Sequence, residues 1–138
     1  RGGQNEGREH FEEAITLHRQ GMLPEAVYEY GQAIAIKPDF AEAYAFRGQA
    51  WLTLGTESQA LRDFDQALSY ERQGFTKSTS EDLRIFKITM AQSHHGRAVI
   101  YANQGYELKH QVEAQVAREL GCLPGTLESA FHDIAAGR

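Results

Sequence analysis

The chain has 138 residues, enough for one domain that buries about two-thirds of its unfolded surface. Hydrophobic residues make up 41% and charged residues 24%, the balance of a globular protein rather than a disordered or membrane-spanning one. A formal net charge of −5 argues against nucleic acid or an anionic membrane as the main partner.

In chain order, residues 1–5 are polar and glycine-rich and are expected to fray. Over 6–20 the apolar residues Phe11, Ala14, Ile15 and Leu17 recur at helical spacing, with Gly21 placed to end the helix in a left-handed conformation. Pro24 falls in the first turn of a second helix, where its missing N–H costs nothing. That helix turns Ala26, Val27, Tyr30, Ala33, Ile34 and Ile36 inward and stops at Pro38. Asp39 is expected to cap a third helix that runs to about 54, where Gly55 closes it. A fourth, over 57–72, has Ala60, Leu61, Phe64, Ala67 and Leu68 on its inner face, and 73–79 reads as a loop. Ser78 and Glu81 have capping-box spacing and open one long helix over 80–104, about 37 Å at 1.5 Å per residue, with Gly96 inside it and Gly105 at its end. A sixth helix over 106–120 ends at Gly121, and a seventh over 124–136 turns Leu127, Phe131 and Ile134 inward. No stretch alternates as a strand would.

The chain also repeats itself. A shift of 34 residues carries Gly21 onto Gly55, Ala26 onto Ala60, Tyr30 onto Phe64 and Ala33 onto Ala67. The same shift carries His10 onto Tyr44, Ala14 onto Gly48 and Leu17 onto Trp51. This pattern of small residues at helix crossings and aromatics between them resembles the tetratricopeptide repeat (TPR) family, over about half the chain. A second shift, of 50 residues, carries Tyr44 onto His94, Gly48 onto Ala98, Trp51 onto Tyr101 and Gly55 onto Gly105, a degenerate third unit.

The resemblance implies an all-α fold: a right-handed α–α superhelix, or TPR solenoid, of about three helical hairpins plus a C-terminal capping helix. The expected units are repeat 1 over 7–40, repeat 2 over 41–72, a loop and helix extension over 73–90, repeat 3 over 91–121 and the cap over 124–136. Trp51 is expected to be buried between repeats. Because one hairpin cannot bury its own apolar face, the units must stack.

The same resemblance implies a protein-interaction scaffold whose first helices line a concave groove for a peptide or helical segment of a partner. By register the groove holds Arg8, Phe11, Ile15, Arg19, Glu42, Ala45, Phe46, Gln49, Leu52, His95 and Val99. Family members that grip a terminal carboxylate use a lysine–asparagine–arginine clamp. Phe11 and Ile15 stand where its first lysine and asparagine would be, so an apolar or amphipathic ligand is expected instead. A second contact surface is expected on the N-terminal extension of the long helix, at Leu83, Ile85, Phe86, Ile88 and Met90. So much apolar surface would not stay in water, and a partner or a second copy is favoured over packing within the chain.

Other chemistries find little support. No HExxH or CxxC motif accompanies the six histidines, and neighbours His94 and His95 point to different helix faces, so no metal or cofactor is expected. The carboxylate pairs Glu12–Glu13 and Glu81–Asp82 lack a catalytic constellation, and the chain reads as a non-enzyme. The single cysteine, Cys122, has only Arg118 as a nearby cation and reads as a small residue in a helix-ending turn. Residues 112–127 resemble a helix-turn-helix, but the following helix offers Glu128, His132 and Asp133 with only Arg138 as a cation, which ranks DNA binding third. Second comes a structural or self-associating module of a longer protein, as a chain that opens on Arg1 suggests. A cytoplasmic, reducing compartment is expected; no signal peptide or bilayer-length apolar run is present.

Overall fold

A computed structural model describes residues 2–70 and 80–121, with side chains over 6–70 and 85–121. Six helices follow one another: α1 (Gly2–Arg19), α2 (Leu23–Ile36), α3 (Ala41–Thr53), α4 (Glu57–Leu68), α5 (Ser80–Asn103) and α6 (Glu107–Glu119). They pair as three hairpins, α1α2, α3α4 and α5α6, joined by packing of α2 on α3 and of α5 on both α3 and α4. No strand occurs among the described residues. The seventh helix expected over 124–136, Cys122 and the loop expected over 73–79 lie outside the described residues.

Each hairpin turns in the same way. Gly21, Gly55 and Gly105 have φ between 79° and 86°, a region closed to most side chains. One residue further on, the N–H groups of Met22, Thr56 and Tyr106 donate to the carbonyls of Leu17, Trp51 and Tyr101, each at 2.9 Å. These paired turns satisfy carbonyls that a helix end leaves without partners. Pro24 lies in the first turn of α2 as expected.

Two helix starts differ from expectation. Helix α1 begins at Gly2 rather than near residue 6, because extending an existing helix costs little once its first turn is formed. Asp39 does not cap α3. The cap position is Phe40, without a side-chain cap bond, and Asp39 instead accepts a hydrogen bond from Lys37 Nζ at 3.1 Å. Phe40 is buried against Phe11, with ring centroids 4.8 Å apart, and this burial decides where the chain turns into α3.

The first core gathers Phe11, Ala14 and Ile15 of α1, Ala26, Tyr30 and Ala33 of α2, and Phe40, Ala43, Phe46 and Ala50 leading into and along α3. Between the second and third hairpins the key side chain is Phe64. A Cβ added at Gly48 would lie 2.7 Å from its ring, and one added at Gly96 would lie 2.2 Å away. Two glycines therefore let α3 and α5 close on one ring. Trp51 is only half-buried, at the edge of the cluster formed by Ala60, Phe64 and Ile100. The expectation that it fills the space between repeats is corrected: Phe64 and Ile100 occupy that space.

Helix α5 has the length expected of it, from Ser80 to Asn103. From residue 85 on, where its side chains are described, the extension packs in part within the chain. Met90 joins Ala41 and Leu68 in a small core flanked by Tyr70, Phe86 and Leu120, while Ile88 lies against the first core. Because α5 contacts both α3 and α4, Phe86, Ile88 and Met90 find apolar neighbours that the sequence periodicity did not reveal.

Candidate functional site

The first helices of the hairpins, α1, α3 and α5, carry the eleven residues assigned to the groove. Phe11, Ile15, Ala45, Phe46 and Gln49 are buried. The first, second and fourth of these belong to the aromatic-rich first core, with Phe11 and Phe46 ring centroids 6.1 Å apart. Gln49 is tied to α5 by donating from Nε2 to the Gln92 carbonyl at 3.1 Å. These five form the floor on which the helices pack. Arg8, Arg19 and His95 are exposed, and Glu42, Leu52 and Val99 are half-buried. Arg8 extends over the Phe11 ring at 5.7 Å and reaches Glu12 at 4.0 Å. Although the His95 residue is largely exposed, partial desolvation of its ring lowers its pKa, and the neighbouring His110 lowers it further.

On the α5 extension, Met90 is inside the chain and is removed from any contact surface. Ile85, Phe86 and Ile88 remain half-buried. The side chain of Leu83 lies outside the described residues.

A polar feature missed by the motif search runs through all three hairpins. Glu29, Asp63 and Glu113 fall on one another under the shifts of 34 and 50 residues. Each is a carboxylate of the second helix clasped by the first. His10 Nδ1 lies 2.6 Å from Glu29 Oε1. Arg47 grips Asp63 with two bonds, Nε to Oδ2 and Nη2 to Oδ1, both at 2.8 Å. His94 Nδ1 lies 2.6 Å from Glu113 Oε1, and Arg97 Nη2 holds the other oxygen of the same carboxylate. Arg97 Nη1 also reaches Asp65 of the preceding hairpin at 3.0 Å. The signal was in the sequence: under the same shifts His10 meets Tyr44 and then His94, and Arg47 meets Arg97. Apolar matching passed over it.

The electrostatics mark these groups as structural. Burial pushes the Glu113 carboxyl up, but the bonds from His94 and Arg97 and the Arg97 charge together pull it below the usual range. The bond to Asp63 raises the Arg47 pKa and keeps the guanidinium charged. Burial raises the Asp63 carboxyl, and the Arg47 fork only partly offsets this. Both oxygens of Asp63 and of Glu113 accept bonds from the facing helix. Among the described residues no group of three histidine, cysteine, aspartate or glutamate side chains could hold a metal ion. No helix among them is long and apolar enough to cross a membrane.

An array of stacked helical hairpins with matching turns, glycine-lined crossings and one clasped carboxylate per hairpin defines the class, an α-helical repeat scaffold. Within that class, residues 15–55 match a family model described as TPR repeat. That window runs from the middle of α1 to the turn after α3 and includes all of α2. A TPR repeat is in general a protein-interaction scaffold and not a catalytic unit.

Proposed function

We propose that this chain holds a peptide or helical segment of a partner protein against the face made by α1, α3 and α5. The observation that carries the reading is the match to the TPR repeat over 15–55, set in three hairpins of one geometry. The ligand-facing residues are Arg8, Arg19, Glu42, Leu52, His95 and Val99, above a floor of Phe11, Ile15, Ala45, Phe46 and Gln49. Leu52 and Val99 offer apolar anchors and the charged residues set register along the ligand. No carboxylate clamp is proposed, because Phe11 and Ile15 are core residues in place of its lysine and asparagine.

The test is selection of displayed peptides on the immobilised protein, followed by titration against the wild type and a Leu52→Asp, Val99→Asp variant. Peptides that bind the wild type and lose affinity for a variant with an unchanged melt support the reading. Binders indifferent to the double substitution, or micromolar binding of an acidic chaperone-tail peptide that requires its free carboxylate, count against it.

A further inference from the structure

Away from the proposed groove, the second helices carry two crevices that are register counterparts. The first is formed by Leu17, Pro24, Glu25, Tyr28 and Glu29 on the α1α2 hairpin, with a volume of about 400 Å³. The second is formed by Tyr101, Leu108, Lys109, Val112 and Glu113 on α5α6, with a volume of about 340 Å³. Every residue of one maps onto a residue of the other when the two repeat shifts are applied in succession. Both place large side chains in water: Tyr28 is 62% exposed, Leu108 78% and Val112 62%.

The matched positions differ in charge in an orderly way. Glu25 stands where Lys109 stands, and the intervening α3α4 hairpin has the neutral Gln59 there. Lys109 is pre-positioned, its Nζ 5.5 Å from the Tyr101 ring centroid and 4.9 Å from that of Tyr106. The middle hairpin has no exposed apolar ridge at this register; its counterparts of Leu108 and Val112 are Ser58 and Arg62, both exposed. Along the second helices the matched position therefore runs acidic, neutral, basic, with an apolar crevice at each end.

We propose that a second copy of this chain docks across this face in antiparallel, two-fold fashion. Hairpin α1α2 of one copy meets α5α6 of the other, twice. An isologous interface requires that if one residue contacts another, the reverse contact is made as well. The pattern meets that requirement: Glu25 faces the second copy's Lys109 at both ends. In the middle, next to the two-fold axis, Gln59 faces the Gln59 of the second copy. An amide carries both donors and an acceptor, so it can pair with itself, whereas a charge at that place would repel its own copy. Arg62 is the one cation of α4, which lies at the axis; its long stem lets the head turn aside into water, at some cost to the contact. The exposed Leu108–Val112 ridge is then covered by the crevice around Tyr28 and Pro24. One such crevice is small for a stable contact, and the symmetry doubles it. The surface lies mainly on α2, α4 and α6, and the residues it takes from the first helices, Leu17 and Tyr101, are not among those assigned to the groove, so it is independent of that reading.

The test is sedimentation equilibrium of the full chain over a concentration series, with a melt of each variant. The expected result is a limiting mass of two chains. Leu108→Asp with Val112→Asp should reduce it to one chain with an unchanged melt. Lys109→Glu and Glu25→Lys should each weaken association by about tenfold or more, since each sets like charges opposite one another. An equimolar mixture of these two single variants should associate as the wild type does, because both pairs between positions 25 and 109 are again of opposite sign. Gln59→Glu should weaken association and Arg62→Gln should tighten it, because the axis places each beside itself. The charge variants sit at exposed positions and provide the test should the apolar double variant fail to fold. A wild-type mass of one chain throughout, including the case where another protein occupies the crevices, overturns the proposal. So do mass growth without limit, which marks a head-to-tail contact, a failure of the mixed variants to recover, and a weaker dimer in Arg62→Gln.

Discussion

Phe64 is the residue on which the packing of the second and third hairpins turns. Its ring is fully buried and has glycine on two neighbouring helices, Gly48 and Gly96. A methyl group at either glycine would meet the ring at a distance that real contacts do not reach. Gly96→Ala and Gly48→Ala are each expected to lower stability by about 1–3 kcal/mol through overpacking, despite the helix propensity that alanine adds. Phe64→Ala should cost about 3–5 kcal/mol. Trp51→Ala should cost clearly less, because the indole is half-exposed. Urea unfolding of the four variants checks the order; a Trp51→Ala loss equal to that of Phe64→Ala would contradict the packing described.

At the same scale His18 makes stability depend on pH. Burial lowers its pKa from 6.5 to about 4, with Nδ1 2.9 Å from the Tyr30 hydroxyl. The unfolded chain therefore takes up a proton between pH 6.5 and about 4 that the folded chain refuses. Its contribution is complete above pH 6.5 and falls as the pH drops toward 4, by roughly 2–3 kcal/mol at about 1.4 kcal/mol per pH unit. Glu113 acts in the same direction lower down, because its folded pKa lies below the usual 4.5, so its stabilisation fades as the pH falls through that range. His18→Gln should flatten the stability profile between pH 7 and 4.5. An unchanged slope in urea melts across that interval would sink the assignment.

Between elements, the clasped carboxylates fix how the two helices of a hairpin lie on each other. The Arg47–Asp63 pair is uneven: the Asp63 side chain is 7% exposed and that of Arg47 is 24% exposed. Removing the arginine strands a buried carboxylate, whereas removing the carboxylate leaves a guanidinium on a long stem that can reach water. Arg47→Met is expected to cost about 3 kcal/mol or more and Asp63→Asn about 1–2 kcal/mol. Chemical denaturation of both variants tests the inequality; equal losses would mean that the pair is solvated. The α5 extension makes a second prediction between elements. Met90→Ala should lower stability by about 2–4 kcal/mol, because it empties a core shared by α3, α4 and α5. Light scattering should find the mass of the variant unchanged, since Met90 has no solvent-facing surface to offer a second copy.

For the whole molecule, the six described helices and their pairing were legible in the sequence. Glycine, proline and apolar spacing act within a few residues, so Gly21, Pro24, Gly55 and Gly105 mark their turns in any context that lets the helices form. The 34-residue and 50-residue shifts likewise located Ala26, Ala33, Gly48, Ala60 and Ala67, which are buried at helix crossings, but not Gly96, which falls on Phe46. Tertiary structure decided what depends on who meets whom. Periodicity names an inward face but not how much of it a neighbour covers. Nearly half of the expected groove, including Phe11, Ile15 and Phe46, therefore became core, Trp51 was left at an edge, and Met90 went inside. Asp39 could have capped α3, but burying the Phe40 ring outweighed one exposed hydrogen bond. The clasped carboxylates stood at matching places in the sequence all along. Only the approach of His10, Arg47, His94 and Arg97 from the facing helix, a long-range contact within each hairpin, gave those acids their role.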